Sequence, residues 1–183
     1  MRLTQRAFWF LRHGETDWNA KGWSQGNVDI PLNATGLAQA ERAADMLRGR
    51  GIVTVVASPL SRAHDTARIA ATPLGLEVEI DEGLREVSFG SQEGQPMTDW
   101  FNDWVAGHFT PPDAEPFADL RARAVAAVNR ALARPAPVLV VAHGALFRAL
   151  RAEMGLEPNV RTANAMPFFC EPGTPEWTLT PAG

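Results

Sequence analysis

Apolar residues along this chain follow two rhythms. Residues 7–11, 53–57 and 138–142 are short, nearly unbroken apolar runs, the pattern of strands buried on both faces. Residues 76–80 read as a further strand. Between these runs Leu37, Ala40, Ala44 and Leu47 recur at helical spacing, as do Phe117, Leu120, Ala124, Val128, Ala131 and Leu132. Gly49 and Gly51 stop the first of these helices, and Pro135 stops the second. Ser58-Pro59 predicts another helix start, with serine at the cap and proline at the first helical position, and that helix runs to about residue 71. A helix over 145–154 follows the fourth strand. Residues 168–170 and 177–180 read as a closing hairpin or as edge strands.

Strands alternating with helices predict one α/β domain over residues 1–183, a three-layer arrangement with a mostly parallel central sheet and helices on both faces. Residues 81–116 break the alternation with glycines, a turn and the aromatic residues Trp100, Phe101, Trp104 and Phe109. They read as carrying a short cap, inserted at about 91–116. The aromatics are expected to pack that cap against the body.

Composition narrows the classes. A net charge of −4 argues against a nucleic-acid grip, which needs a basic face. The single cysteine, Cys170, excludes an internal disulfide and a cysteine-rich metal site and reads as core filling. The apolar run at 7–11 is too short for a signal-peptide core, and no stretch reaches the roughly 20 apolar residues of a membrane span. A cytoplasmic protein is therefore expected. Sixteen of the 17 basic residues are arginines. Arginine suits bidentate recognition of phosphate better than lysine does.

The chemistry gathers at strand ends. His13 follows the first strand and precedes Gly14; His143 follows the fourth and precedes Gly144. Ligands of open α/β sheets bind beyond the carboxyl ends of the strands, and each glycine lets backbone approach a ligand. Arg12 adjoins His13, and Arg62 lies just inside the helix predicted from Ser58-Pro59. Guanidinium forks and a helix N-terminus are what a phosphomonoester dianion needs. Both arginines are expected to face solvent or ligand, so that replacing them spares stability. Asn19 and Gln25 add neutral donors. A proton donor for the leaving alcohol is also required, and Glu86, Glu15 and Glu93 all qualify by spacing, Glu86 reading as directly after the third strand. Arg148 and Arg151 read as a solvated helix face, and His64 and His108 as surface residues.

Leu11-Arg12-His13-Gly14-Glu15-Thr16 with Trp18-Asn19 resembles the signature of the histidine phosphatase superfamily, the phosphoglycerate mutase-like proteins. Gly26, Asp29, Pro31-Leu32, Gly36 and Gln39-Ala40 are similar to that family's loop and first helix. Residues 58–63 with Thr66-Ala67 resemble its second arginine motif, Leu84-Arg85-Glu86 with Gly90 and Glu93-Gly94 its acid motif, and residues 140–144 its second histidine motif. Asn164 matches an asparagine near the last strands. The resemblance implies a phosphoglycerate mutase-like fold and no metal or other cofactor. His13 would be the nucleophile and Glu86 the acid. Arg12, Arg62 and His143 would hold the phosphoryl oxygens, with Asn19, Gln25, Gly26 and Gly144 in the substrate site.

The family's acid motif has tryptophan before the glutamate at 93, where this chain has Gln92. No Lys or Arg lies between Glu86 and Asp119, whereas the mutase branch carries a longer, basic insertion there. That absence speaks against a second anionic group being gripped from the cap. The expectation is a phosphatase for a small phosphomonoester, acting through phosphohistidine. A phosphoglycerate mutase and a non-catalytic phosphate-binding protein of the same fold are the alternatives.

Overall fold

The computed structural model describes all 183 residues. Strands β1 (Phe8–Arg12), β2 (Thr54–Ala57), β3 (Val78–Ile80) and β4 (Val138–Ala142) run parallel, and β5 (Pro167–Glu171) and β6 (Thr178–Pro181) form an antiparallel hairpin against β1. The order across the sheet is β3-β2-β4-β1-β5-β6. The helices are α1 (Asp17–Lys21), α2 (Ala34–Leu47), α3 (Ser61–Ala71), α4 (Trp100–Val105), α5 (Phe117–Leu132) and α6 (Gly144–Glu153).

The unbroken apolar runs follow from a sheet covered on both sides. Side chains alternate faces along a strand. Phe8 and Phe10 of β1 and Val138, Val140 and Ala142 of β4 pack with Leu120 and Ala124 of α5 and Leu146 and Phe147 of α6. Trp9 and Leu11, with Leu139 and Val141, pack on the other face against Ala43 and Leu47 of α2 and Ala67 and Ala70 of α3. The Phe10 and Phe147 rings stack with centroids 4.0 Å apart. This is the expected three-layer arrangement, a mostly parallel sheet between two layers of helices.

Several boundaries differ from the sequence reading. β2 begins at Thr54, because Val53 is half exposed. β3 is confined to three residues at the open edge. The helix expected from Ser58-Pro59 begins at Ser61, and its N-cap, Leu60, has no capping side chain. Asp29 substitutes from a distant loop: its Oδ1 accepts from both the backbone N–H and the hydroxyl of Ser61, each at 2.7 Å. Glu86 does not directly follow a strand either, since a 3₁₀ turn at Glu82–Leu84 comes between.

Residues 90–116 hold a 3₁₀ turn (Gly90–Gln92), α4 and irregular chain. Trp104 is fully buried, its ring 5.2 Å from that of Phe117, and its Nε1–H donates to the Glu115 carbonyl at 2.9 Å. Phe101 joins the same core, while Phe109 stays exposed. Cys170 is buried in the core, and His108 is exposed.

Candidate active site

Three adjacent strands end at one point. β4 lies between β1 and β2, in parallel register with Arg12 opposite Ala142 and Ala57 opposite Val141. The ladder continues one residue further: the N–H of His13 donates to the Ala142 carbonyl, and that of Ser58 to the Val141 carbonyl. His13, Ser58 and His143 therefore leave the sheet side by side. The two imidazole centroids are 5.2 Å apart.

Each ring is fixed by its own partner. The Nδ1–H of His13 donates to the Gly14 carbonyl at 2.7 Å. A carbonyl can only accept, so the neutral ring carries its proton on Nδ1 and keeps a lone pair on Nε2. Burial, with the charges of Arg62 and Arg12, holds the His13 pKa well below the usual histidine value. Burial and the same arginines, together with His13, do likewise for His143. Nε2 of His143 is 2.8 Å from the Ser58 hydroxyl. We assign that hydroxyl as the donor, because its proton has no acceptor other than this ring nitrogen. The His143 proton then sits on Nδ1, which is buried and has no partner. Gly14 is required by packing: a Cβ there would lie 2.4 Å from the Gly36 carbonyl oxygen.

The arginines are more buried than the sequence suggested. Arg62 is 1% exposed and donates Nη1 to the Val28 carbonyl and Nη2 to the Gly26 carbonyl, both at 2.7 Å. Arg12 is 9% exposed, and its Nη1 donates to the Thr162 carbonyl at 2.5 Å. Neither faces open solvent, and each is also tied to backbone carbonyls of the fold. Desolvation pushes each pKa down to about 10. Both Nε atoms are buried and unpartnered. A buried donor without an acceptor costs free energy comparable to a lost hydrogen bond. Gly144 matters here because a Cβ on it would meet Arg12 Nε at 3.0 Å.

A cavity of about 520 Å³ opens beside these groups. Arg12, Arg62, Asn19, Gln25, Gly26, Glu86 and Gly144 all line it. The two imidazoles are buried beside that lining rather than in it. Asn19 is the last residue of a capping box with Thr16. Its Oδ1 accepts from the Thr16 N–H and the Asn164 amide, which leaves its own NH₂ free to donate. The Thr16 hydroxyl accepts from the Asn19 N–H and donates to Gln25 Oε1, leaving the Gln25 NH₂ free as well.

Of the three carboxylates open on spacing, Glu86 alone lines the cavity. Its oxygens accept from the N–H groups of Val87, Ala145 and Leu146, each at 3.0 Å, the last two from the first turn of α6. Glu15 accepts from the Asn33 amide, and Glu93 Oε1 accepts from the Asn27 and Phe89 N–H groups. No group of three or more His, Cys, Asp or Glu side chains is placed to hold a metal ion. No helix is long and apolar enough to cross a membrane.

The sequence model of the histidine phosphatase superfamily (branch 1) matches residues 8–165. This chain belongs to the histidine phosphatase superfamily. It is 37% identical over 161 residues to a probable phosphoglycerate mutase of Yersinia enterocolitica, covering 81% of this chain and 75% of that one. It is 36% identical over 156 residues to an uncharacterized phosphatase of Bacillus subtilis, covering 83% and 79%. A mycobacterial glucosyl-3-phosphoglycerate phosphatase solved with VO3 superposes with a TM-score of 0.81 at 31% identity, over 96% of this chain and 98% of that one. This histidine phosphatase superfamily enzyme thus has both mutase-named and phosphatase-named relatives.

Three cations of the cavity escaped the sequence reading. Arg148 of α6, Arg161 and Lys21 all line the cavity. Arg148 is partly buried, with its guanidinium 4.7 Å from the centroid of the Phe101 ring and its Nε unpartnered. The solvated-face reading of Arg148 is corrected: helical spacing fixes which residues share a face, and the aromatic ring that α4 lays over this one came from a segment without periodicity. Arg151, by contrast, donates to the Glu157 carbonyl outside the cavity.

Proposed function

We propose that this enzyme is a phosphomonoester hydrolase acting through a phosphohistidine at His13 on a small phosphorylated metabolite. The observation that carries this reading is the set of buried donors left without partners, Nε of Arg12 and of Arg62 and Nδ1 of His143, beside a neutral His13. Donors held unsatisfied in a buried site are ready for an anion. The free amides of Asn19 and Gln25 add neutral donors.

In the first step Nε2 of His13 attacks phosphorus and the bond from phosphorus to the ester oxygen breaks. The departing alkoxide takes a proton from the Glu86 carboxyl. The guanidinium groups and His143 stabilise charge on the transferring phosphoryl oxygens. In the second step a water oxygen attacks phosphorus, its proton passes to the Glu86 carboxylate, and the phosphorus–nitrogen bond breaks. The Nδ1 bond to Gly14 keeps the His13 ring oriented throughout. Residues 91–116 serve as the cap, with α4 contributing Phe101 to the cavity wall.

A second reading, a phosphoglycerate mutase, is favoured by the mutase-named relative and by the cations found outside the cap. The two part at the fate of the phosphoryl group. A panel of phosphomonoesters including 3-phosphoglycerate is expected to give phosphate release faster than any interconversion of 2- and 3-phosphoglycerate. Efficient interconversion that depends on a bisphosphate primer would decide for the mutase.

A further inference from the structure

Seven arginines of this chain form ion pairs, and all seven pairs lie away from the cavity. The cavity itself holds five cations, Arg12, Lys21, Arg62, Arg148 and Arg161, against a single carboxylate, Glu86. That carboxylate accepts from backbone N–H groups and from none of the five. One phosphomonoester dianion does not balance this charge. Arg12 and Arg62 are anchored to backbone carbonyls close to the histidines, so the surplus belongs to Arg148, Arg161 and Lys21.

Arg148 carries the argument furthest. Its side chain makes no hydrogen bond and no ion pair, its Nε is buried, and Phe101 covers one face of the guanidinium. A stacked guanidinium keeps its edge free, and that edge is a planar fork suited to an oxyanion. Arg161 is exposed, without a side-chain partner, and close enough to depress the Arg148 pKa, behind the larger effect of burial. Lys21 sits at the end of α1, 4.6 Å from the Trp23 ring centroid. In contrast, Arg151 on the next turn of α6 has its carbonyl partner.

We propose that Arg148 and Arg161, with Lys21, form a second anion subsite, and that the substrate class is a phosphomonoester bearing a further carboxylate or phosphate. The proposal rests on the phosphomonoesterase reading above. It relocates the second grip from the cap, where no basic residue exists, to α6 and the loop before β5. Phe101 would then couple the cap to recognition, through the ring it lays on Arg148.

Two matched pairs test it. The first is 3-phosphoglycerate and glycerol 3-phosphate, which differ by a carboxylate; the second is fructose 1,6-bisphosphate and fructose 6-phosphate, which differ by a phosphate. Kd is measured by calorimetry in His13→Ala, where turnover is removed, and kcat/KM in the unaltered enzyme. In at least one pair the more charged member is expected to bind tenfold tighter or better, about 1.4 kcal/mol. Which pair shows it tells carboxylate from phosphate. Arg148→Ala is expected to abolish that preference, Arg148→Lys to restore part of it, and Arg151→Ala to leave it intact. Equal affinity within both pairs, or a preference that survives Arg148→Ala, would overturn the subsite. Hydrolysis of any of the four compounds would still stand as support for the phosphatase, so the two failures are distinguishable.

Discussion

Arg62 donates one N–H from each of Nη1 and Nη2 to the carbonyls of Val28 and Gly26, tying the loop after α1 to α3, and its buried Nε–H has no protein partner. Its replacement should therefore act twice. Arg62→Ala is expected to lower kcat/KM by about 2–4 kcal/mol of transition-state stabilisation, as for other fixed donors. It should also cost about 1–3 kcal/mol of folding stability, because the buried Gly26 carbonyl and the part-buried Val28 carbonyl lose their donor. Steady-state kinetics together with urea denaturation separate the two effects, and kinetic loss at unchanged stability would contradict the anchoring role. Glu86 allows a sharper test. Glu86→Gln should collapse the first turnover of an alkyl phosphate while sparing that of a nitrophenyl phosphate, whose leaving group needs no proton. Equal losses in rapid-quench measurements would remove Glu86 as the acid. Most of this site was legible from residue types at strand ends. Arg161 was not, since an arginine in a loop without a neighbouring motif carries no signal of what it faces.

The elements were legible where burial is two-sided. β1 and β4 are read from unbroken apolar runs because both sheet faces are covered, and α2 and α5 from one apolar stripe each. The start of α3 was not, for a specific reason. Ser58 has the chemistry of a cap, but its hydroxyl meets His143, 85 residues away, and the cap arrives from Asp29. Local preference gave way to tertiary pairing. The 90–116 segment lacks periodicity, and its placement depends on single large side chains. Trp104 fills the core under α4 and bonds to the Glu115 carbonyl. Trp104→Ala is expected to cost about 3–5 kcal/mol, the usual range for deleting a buried aromatic. Denaturant unfolding measures it, and a loss below about 1 kcal/mol would show that the segment is held by other contacts.

Across the whole molecule the cavity concentrates positive charge in a chain whose net charge is −4. Its cations have few carboxylates near them, and two neutral histidines are buried at the sheet edge beside them. Those histidines link folding to pH. Their folded pKa values lie well below the usual value, near 6.5 in the unfolded chain. Below about pH 6.5 the unfolded state therefore binds protons that the folded state does not, and stability falls as pH falls. Each group contributes up to about 1.4 kcal/mol per pH unit in that window. Urea titrations at pH 7 and pH 5 should show this drop, and His143→Gln should lessen it; a flat profile would mean that the imidazoles are not buried as neutral rings. The proposed mechanism requires a covalent intermediate at His13. Rapid mixing with a phosphomonoester, an alkaline quench and peptide mass spectrometry measure it directly. The predicted result is one phosphoryl group on the peptide containing His13, absent from His13→Ala, which also releases no phosphate. A phosphoryl group on another residue, or phosphate release by His13→Ala, would contradict it.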